Sequence, residues 1–325
     1  MCIRDRVEVR TGHAVDPTTR HEGSSGGVLS GLLIHLLESK QVDFVAHVKA
    51  ASDDPLGNEL SISRTREDVL AGAGSRYAPS APLAKLAVLL ALPGRFAFVG
   101  KPCDVAALRR YEKLNPGVSD KVPFMLSFMC AGIPSRKGTL AILDKFGVPP
   151  EQVKSFAYRG DGWPGKTTAI TQDNQRFETD YSTSWGTVLN RHLQFRCKIC
   201  PDGTGEFADV VGADAWYGKD GYPDFAEREG RSLVLSRTSK GEALVQSAKA
   251  ANAIATEPLA VEEIAKMQPY QLNRKRLVLS RIAALWLTRR PAPRYAHFPL
   301  FRLATQLSLR ENISSFKGTL RRLIA

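Results

Sequence analysis

The sequence predicts an α/β fold: a mostly parallel sheet with flanking helices, a smaller α+β portion carrying a CxxC loop, and a basic helical tail. Three observations carry this expectation. Between residues 42 and 146 short apolar strands alternate with helical stretches, the pattern that builds a parallel sheet covered by helices. From Val153 to Tyr181 the texture changes to short strands with glycine-rich turns, notably Arg159-Gly-Asp-Gly-Trp-Pro-Gly165. From Asn273 to Ala325 twelve Lys or Arg residues stand against one acid, Glu311, so this segment holds +11 of the chain's +12 net charge.

Residues 1–20 lack apolar periodicity and read as an irregular lead-in. His21-Glu-Gly-Ser-Ser-Gly-Gly27 is a flexible turn, after which Val28, Leu29, Leu32, Leu33, Leu36 and Leu37 recur at helical spacing. A helix is expected from an N-cap at Ser24 or Ser25 to about Lys40. Val42–Val48 reads as a strand, Ala71–Ser80 as a loop and Pro82–Leu92 as a helix. Two βα units follow. Arg95–Val99 is a buried strand, Gly100-Lys-Pro-Cys-Asp104 its turn, and Asp104 the cap of the next helix. Val122–Met129 is the second strand, Cys130-Ala-Gly-Ile-Pro134 its turn, and Ser135–Phe146 its helix. A helix over Ser184–His192 leads into Phe195-Arg-Cys-Lys-Ile-Cys-Pro-Asp202. Arg231–Arg237 is a further strand and Lys240–Ala251 a further helix.

Hydrophobic residues at 43% and charged residues at 24% suit a water-soluble globular protein. No run approaches the roughly 18–20 apolar residues of a membrane span, and the polar start does not resemble a secretory signal. A cytoplasmic location is expected. The basic tail suits nucleic acid, an anionic membrane surface or an acidic partner, or serves solubility alone. Its arginines are interleaved mainly with Leu and Ile, and the scarcity of aromatics for base stacking weighs against nucleic acid.

Five cysteines occur. Cys197-x-x-Cys200 is the one close pair, and in an intracellular protein such a pair points to metal, cluster or redox dithiol. Cys103 and Cys130 each sit in a strand-end turn, at the edge where parallel sheets collect ligands. Four thiolates satisfy an iron–sulfur cubane and also tetrahedral zinc; zinc sites usually use two close pairs, which favours the cluster. Ser24-Ser-Gly-Gly27 at a helix start suits a diphosphate, because glycines admit close approach and the helix N-terminus offers free N–H groups. The same residues also suit a plain cap. Gly74-Ser75-Arg76-Tyr77 offers a cation and an aromatic ring, or is an ordinary surface turn. Lys101 and Asp104 flank Cys103, while Asp202, Asp209 and Asp214 follow the CxxC as loop caps or modulators of a cluster.

Together these segments resemble the coenzyme F-420 hydrogenase/dehydrogenase beta-subunit family. The resemblance is carried by Ser24–Ser30, Gly74–Ser80, Phe98–Leu108, Tyr158–Gly165, Phe195–Asp202, Ala208–Trp216 and Met267-Gln-Pro269, and spans about Glu22 to Arg281. The family is also similar to 7-hydroxymethyl chlorophyll a reductase. The resemblance implies FAD and a 4Fe-4S cluster, with electrons relayed between a hydride carrier and one-electron centres. Ser24, Ser25, Gly26, Gly27, Ser75, Arg76, Tyr77 and Lys101 would then bind the flavin cofactor, and Cys103, Cys130, Cys197 and Cys200 would ligate the cluster. Ferredoxin, a deazaflavin coenzyme or a partner subunit is the implied redox partner. Two departures stand out: no ferredoxin-like cysteine cluster precedes His21, and Ala213 stands where the family pattern expects Gly.

Met1-Cys-Ile-Arg-Asp-Arg6 resembles the translation of a sequencing adapter, so the native protein is expected to be longer and Cys2 is excluded from every site. The division expected is a lead-in (1–20), an α/β flavin-binding portion (21–150), an α+β portion with the CxxC loop (151–272) and the tail (273–325). Competing readings are a non-catalytic electron-transfer subunit and a zinc-stapled nucleic-acid-binding protein. The tail's amphipathic helices either rest on an anionic membrane as a peripheral contact or pack onto the catalytic body or an acidic partner subunit.

Overall fold

A computed structural model describes residues 6–219, 222–296 and 298–324; most of the adapter-like start, including Cys2, lies outside them. The chain enters as β1 (Glu8–Ala14), β2 (Phe44–Ala50), β3 (Asn58–Ser63), β4 (Phe96–Gly100) and β5 (Phe124–Phe128). An excursion then forms β6 (Val153–Ala157), β7 (Thr167–Thr171) and β8 (Arg176–Thr179), a separate antiparallel sheet. The chain returns as β9 (Val210–Asp214), makes the hairpin β10 (Tyr217–Lys219) and β11 (Tyr222–Asp224), and adds β12 (Ser232–Ser236) and β13 (Ile254–Pro258).

The main sheet has the order β13-β1-β12-β9-β5-β4-β2-β3. Its core, β9-β5-β4-β2, is parallel, and antiparallel strands extend it on both sides. Every residue of β4 is buried, as expected for a strand covered on both faces. On one face the helices Val28–Glu38 and Ser239–Ala250 contribute Leu32, Leu36, Leu244 and Val245. On the other, Leu89, Val105, Leu108 and Ile264 pack on Phe44, Phe96, Phe98 and Met125. The α/β class expected from the sequence is the observed one.

Several local expectations are corrected. Residues 1–20 are not irregular beyond the start, because β1 lies inside the main sheet between β12 and β13, followed by the helix Pro17–Glu22. Its polar residues disguised it: Arg10 is buried yet held by two hydrogen bonds to the Glu242 carboxylate. The helix expected from Ser24 or Ser25 begins at Val28, with Gly27 as its N-cap and no side-chain capping bond. Cys103 lies inside the first turn of the helix Pro102–Leu114 rather than in a loop, with Lys101 at the N-cap and Asp104 accepting the Lys101 N–H. The expected boundary near residue 150 does not divide the sheet, since β9 pairs with β5, and β12 and β13 both pair with β1.

The tail folds onto the body. Helices Val278–Leu287 and Leu309–Ile324 bury Val278, Ile282, Leu285 and Leu323 against Ile199 and Phe195 of the CxxC segment. Arg281 donates to the Lys198 carbonyl at 2.6 Å and Arg290 to the Leu323 carbonyl at 2.6 Å. No helix of the described residues is long and apolar enough to cross a membrane.

Asp209, almost fully buried just before β9, ties these layers together. Its carboxylate accepts from the Met125 N–H at the start of β5, from Arg109 Nη2 and from Thr238 Oγ1, each at 2.9 Å. Removing one partner of a buried, hydrogen-bonded ion pair typically costs about 3–5 kcal/mol. Asp209→Ala is therefore expected to lower the unfolding free energy by that amount, read as a lower urea midpoint at unchanged slope.

Candidate functional site

The parallel strands end together, and their carboxyl ends build the site. β4 leads into Lys101 and Cys103, β5 into Cys130, and β9 ends at Asp214. The CxxC segment reaches this edge through backbone pairing. The Gln194 N–H donates to the Ile133 carbonyl at 3.1 Å, the Ser135 N–H to the His192 carbonyl at 2.9 Å, and the Cys130 N–H to the Gly203 carbonyl at 2.9 Å. Gly132 sits at φ +112°, and a Cβ there would press to 3.2 Å from the Cys197 Cβ.

As a result Cys103, Cys130, Cys197 and Cys200 line one cleft, together with Arg274 and Tyr295 from the tail. The Ile133 N–H points at the Cys197 Sγ at 3.4 Å. Burial pushes the Cys130 thiol up to about 11 and also raises that of Cys200. Such desolvation disfavours bare thiolates, which an electropositive group must then stabilise. The thiols ring the cleft without closing on a point: among the described residues no three His, Cys, Asp or Glu side chains are grouped to hold a single ion. Arg274 Nε and the Tyr295 hydroxyl are buried there without a hydrogen-bond partner among the described residues. Four sulfur donors, a buried cation and two uncommitted donor groups fit an iron–sulfur cluster in the cleft.

A second cavity adjoins the first. It is lined by Ser24, Ser25, Gly27, Ser75, Arg76, Tyr77 and Lys101, seven of the eight residues expected to bind a flavin. The N-terminus of the helix Val28–Glu38 opens into it through Val28, Leu29 and Ser30. Ser24 Oγ and Ser75 Oγ lie 2.7 Å apart and join the two loops. Ser80, Lys101, Cys130 and Ile133 line both cavities and so form a wall shared between them. Helix-terminal N–H groups with nearby hydroxyls fit a diphosphate, and Trp185, Tyr181 and Trp216 offer aromatic surface farther along the cavity.

The structure gives some expected residues other duties. Gly26 does not line the cavity. At φ +82° its Cα abuts Gly230, and a Cβ would fall 2.7 Å from that backbone, so glycine is required there by packing. Arg76 donates to Asn58 Oδ1 and to the carbonyls of Phe156, Pro55 and Gly57 at 2.6–3.1 Å, pinning the loop before β3 to β6. Tyr77 packs against Tyr158 and Trp185. Lys101 Nζ is held by Asp104 at 2.7 Å and Ser80 Oγ at 2.8 Å. Asp202 caps the loop after the CxxC through the Thr204 and Glu206 N–H groups.

Sequence reasoning passed over the network that floors the cavity. Arg159, buried, makes a two-pronged ion pair with Asp214 at 3.0 and 2.6 Å, and also donates to the Ser24 carbonyl. Its guanidinium lies over the Tyr181 and Trp216 rings, 4.9 and 5.2 Å from their centroids. Trp163 Nε1 donates to Asp214 Oδ1 at 2.8 Å, and Gln268 donates to the Asp214 carbonyl at 2.7 Å. Arg159-Gly-Asp-Gly-Trp was visible as a motif, but its partner Asp214 is 55 residues away. Gln271, which lines the second cavity, and Arg274, which lines the first, lie on the helix Pro269–Arg276, which reads in the sequence simply as basic.

Comparison with known proteins accords with this arrangement. Residues 9–87 match the family model described as coenzyme F420 hydrogenase/dehydrogenase, beta subunit N-term, and residues 94–262 match its C-terminal counterpart. The coenzyme F420 hydrogenase subunit beta of Methanococcus voltae is 28% identical over 249 residues, covering 75% of this chain and 81% of that protein. The chloroplastic 7-hydroxymethyl chlorophyll a reductase of Oryza sativa subsp. japonica is 24% identical over 246 residues, 73% of this chain and 50% of that protein. A chain of the F420-reducing NiFe hydrogenase complex from Methanosarcina barkeri superposes with a TM-score of 0.67 at 20% identity, covering 89% of this chain and 96% of that one. With both family models matched in order across the sheet that builds the two cavities, the chain belongs to the coenzyme F420 hydrogenase/dehydrogenase beta-subunit family.

Proposed function

We propose that this protein is an iron–sulfur flavoprotein oxidoreductase that relays electrons between a hydride carrier, FAD and a 4Fe-4S cluster. The observation that carries the reading is the shared wall: all four thiols line one cleft, and Cys130 also lines the adjoining cavity. A bound flavin accepts a hydride and releases its electrons singly to a one-electron centre. The chain supplies the geometry for that conversion. The helix N-terminus at Val28–Ser30 meets the diphosphate, the Arg159–Asp214 pair fixes the cavity floor, and Cys103, Cys130, Cys197 and Cys200 ligate the cluster. Names among the relatives that include F420 hydrogenase and F420-dependent sulfite reductase support a deazaflavin as the hydride carrier. The reading places the protein in the cytoplasm.

For the cluster, each cysteine is changed to Ser and iron and sulfide are measured after anaerobic reconstitution. Cys197→Ser and Cys200→Ser are expected to lose most of both, and full iron in these variants sinks the assignment.

For the flavin, Ser30→Glu separates binding from folding. Ser30 lines the cavity at the third position of its helix, where a carboxylate favours the helix dipole but repels a diphosphate. Folded protein with flavin affinity at least about tenfold weaker is expected; unchanged affinity moves the diphosphate elsewhere.

The exposed half of the tail is assigned to an acidic partner subunit. Trp286 and Phe301, 60% and 75% exposed, line a surface groove with Arg294 and Arg302 in a segment of net charge +11. Complex formation with the partner should weaken on Trp286→Gln and as salt rises. Co-sedimentation with anionic vesicles at low salt, abolished by the same change, would reassign this face to a membrane surface.

A further inference from the structure

One basic residue of the cysteine cleft is not explained by packing. Arg274 lies on the helix Pro269–Arg276, beyond the segments matched by the family models, and is 6% exposed. Its Nη1 donates to the Cys130 carbonyl at 2.6 Å, and its Nε has no hydrogen-bond partner among the described residues. The other buried cations at this edge are paired: Lys275 with Glu206, Lys101 with Asp104 and Arg159 with Asp214. Arg274 has no carboxylate at ion-pair distance among the described residues, and Asp202, which lines the same cleft, is committed to loop N–H groups. The groups it faces electrostatically are Cys130, Cys200 and Cys197, with Tyr270 beside them. A buried guanidinium is costly to desolvate, so an anionic counterpart is required in the cleft it lines.

We propose that Arg274 is a positioning residue that sets the reduction potential of the cluster and fixes the Cys130 carbonyl against it. This rests on the cluster reading above. One-electron reduction leaves the iron and thiolate composition unchanged and makes the unit more negative by one charge. A fixed cation in a low-dielectric cleft stabilises that reduced form over the oxidised one and raises its potential. Cys130, whose carbonyl Arg274 holds, lines both the cysteine cleft and the adjoining cavity.

The test is a redox titration of the anaerobically reconstituted full chain, followed by electron paramagnetic resonance, alongside iron and sulfide analysis. Arg274→Gln is expected to keep its iron and sulfide, while its reduction equilibrium becomes about tenfold less favourable, a fall of about 59 mV for a one-electron couple. Arg274→Lys, which keeps the charge, should recover most of the shift. Arg274→Gln with full iron and the wild-type potential overturns the proposal. So does iron loss in both variants, which would leave Arg274 a purely structural role. If the glutamine variant alone loses iron, a wild-type potential in the lysine variant supports the charge effect, and a potential lowered by the full tenfold overturns it. Wild-type protein that takes up no iron or sulfide defeats the cluster reading itself, a result distinct from a cluster present with an unmoved potential.

Discussion

The site depends on one stretch of backbone pairing. The turn after β5 holds the segment around the CxxC through hydrogen bonds between residues 130–135 and 192–203, including an antiparallel bridge from Pro134 to Leu193. Without it, Cys197 and Cys200 would belong to a loop more than 60 residues away in sequence from the strand ends that carry Cys103 and Cys130. Because these bonds are main-chain, they bring the cysteines to one cleft without using their side chains. The thiols are therefore left for ligation, and the cost of gathering them is carried by the sheet edge.

Much of the architecture was legible because it rests on patterns a sequence displays directly. The βα units show alternating apolar runs and turn residues, which place Cys103 and Cys130 just beyond the ends of parallel strands. What stayed hidden shares a physical cause. β1 carries Arg10, Thr11 and His13, and only a partner 232 residues away, Glu242, makes burying Arg10 tolerable. Asp214 matters because Arg159 and Trp163 reach it across the fold. Polarity in a sequence is read as exposure, whereas these residues are polar and buried in pairs whose second member is remote.

Glycine and arginine misled in the opposite direction. Gly26 looked like a residue opened for a ligand, yet its backbone meets Gly230. Arg76 looked like a counter-charge for a phosphate, yet it holds four oxygens of the protein itself. Each lies within a segment that carries the family resemblance, Ser24–Ser30 for Gly26 and Gly74–Ser80 for Arg76, so a motif can line a cavity while several of its residues build the frame. Lys101, Arg76 and Arg159 are largely committed to partners within the protein, so a diphosphate in the proposed flavin cavity would fall to the helix N-terminus and hydroxyls.

The same accounting explains the tail's unusual composition. A segment of net charge +11 would repel itself if it folded alone. Its apolar side chains bury against Ile199 and Phe195 beside the CxxC, while Arg281 caps the Lys198 carbonyl and Arg274 reaches the Cys130 carbonyl. Basic residues thus collect around a cleft lined by four sulfurs, where ligation to iron would gather negative charge. That disposition lowers the electrostatic cost of placing a thiolate-bound cluster in a desolvated cleft. With the proposed cluster bound, the tail would act at the cofactor and not only at the surface, which would link the chain's strongest compositional signal to its chemistry.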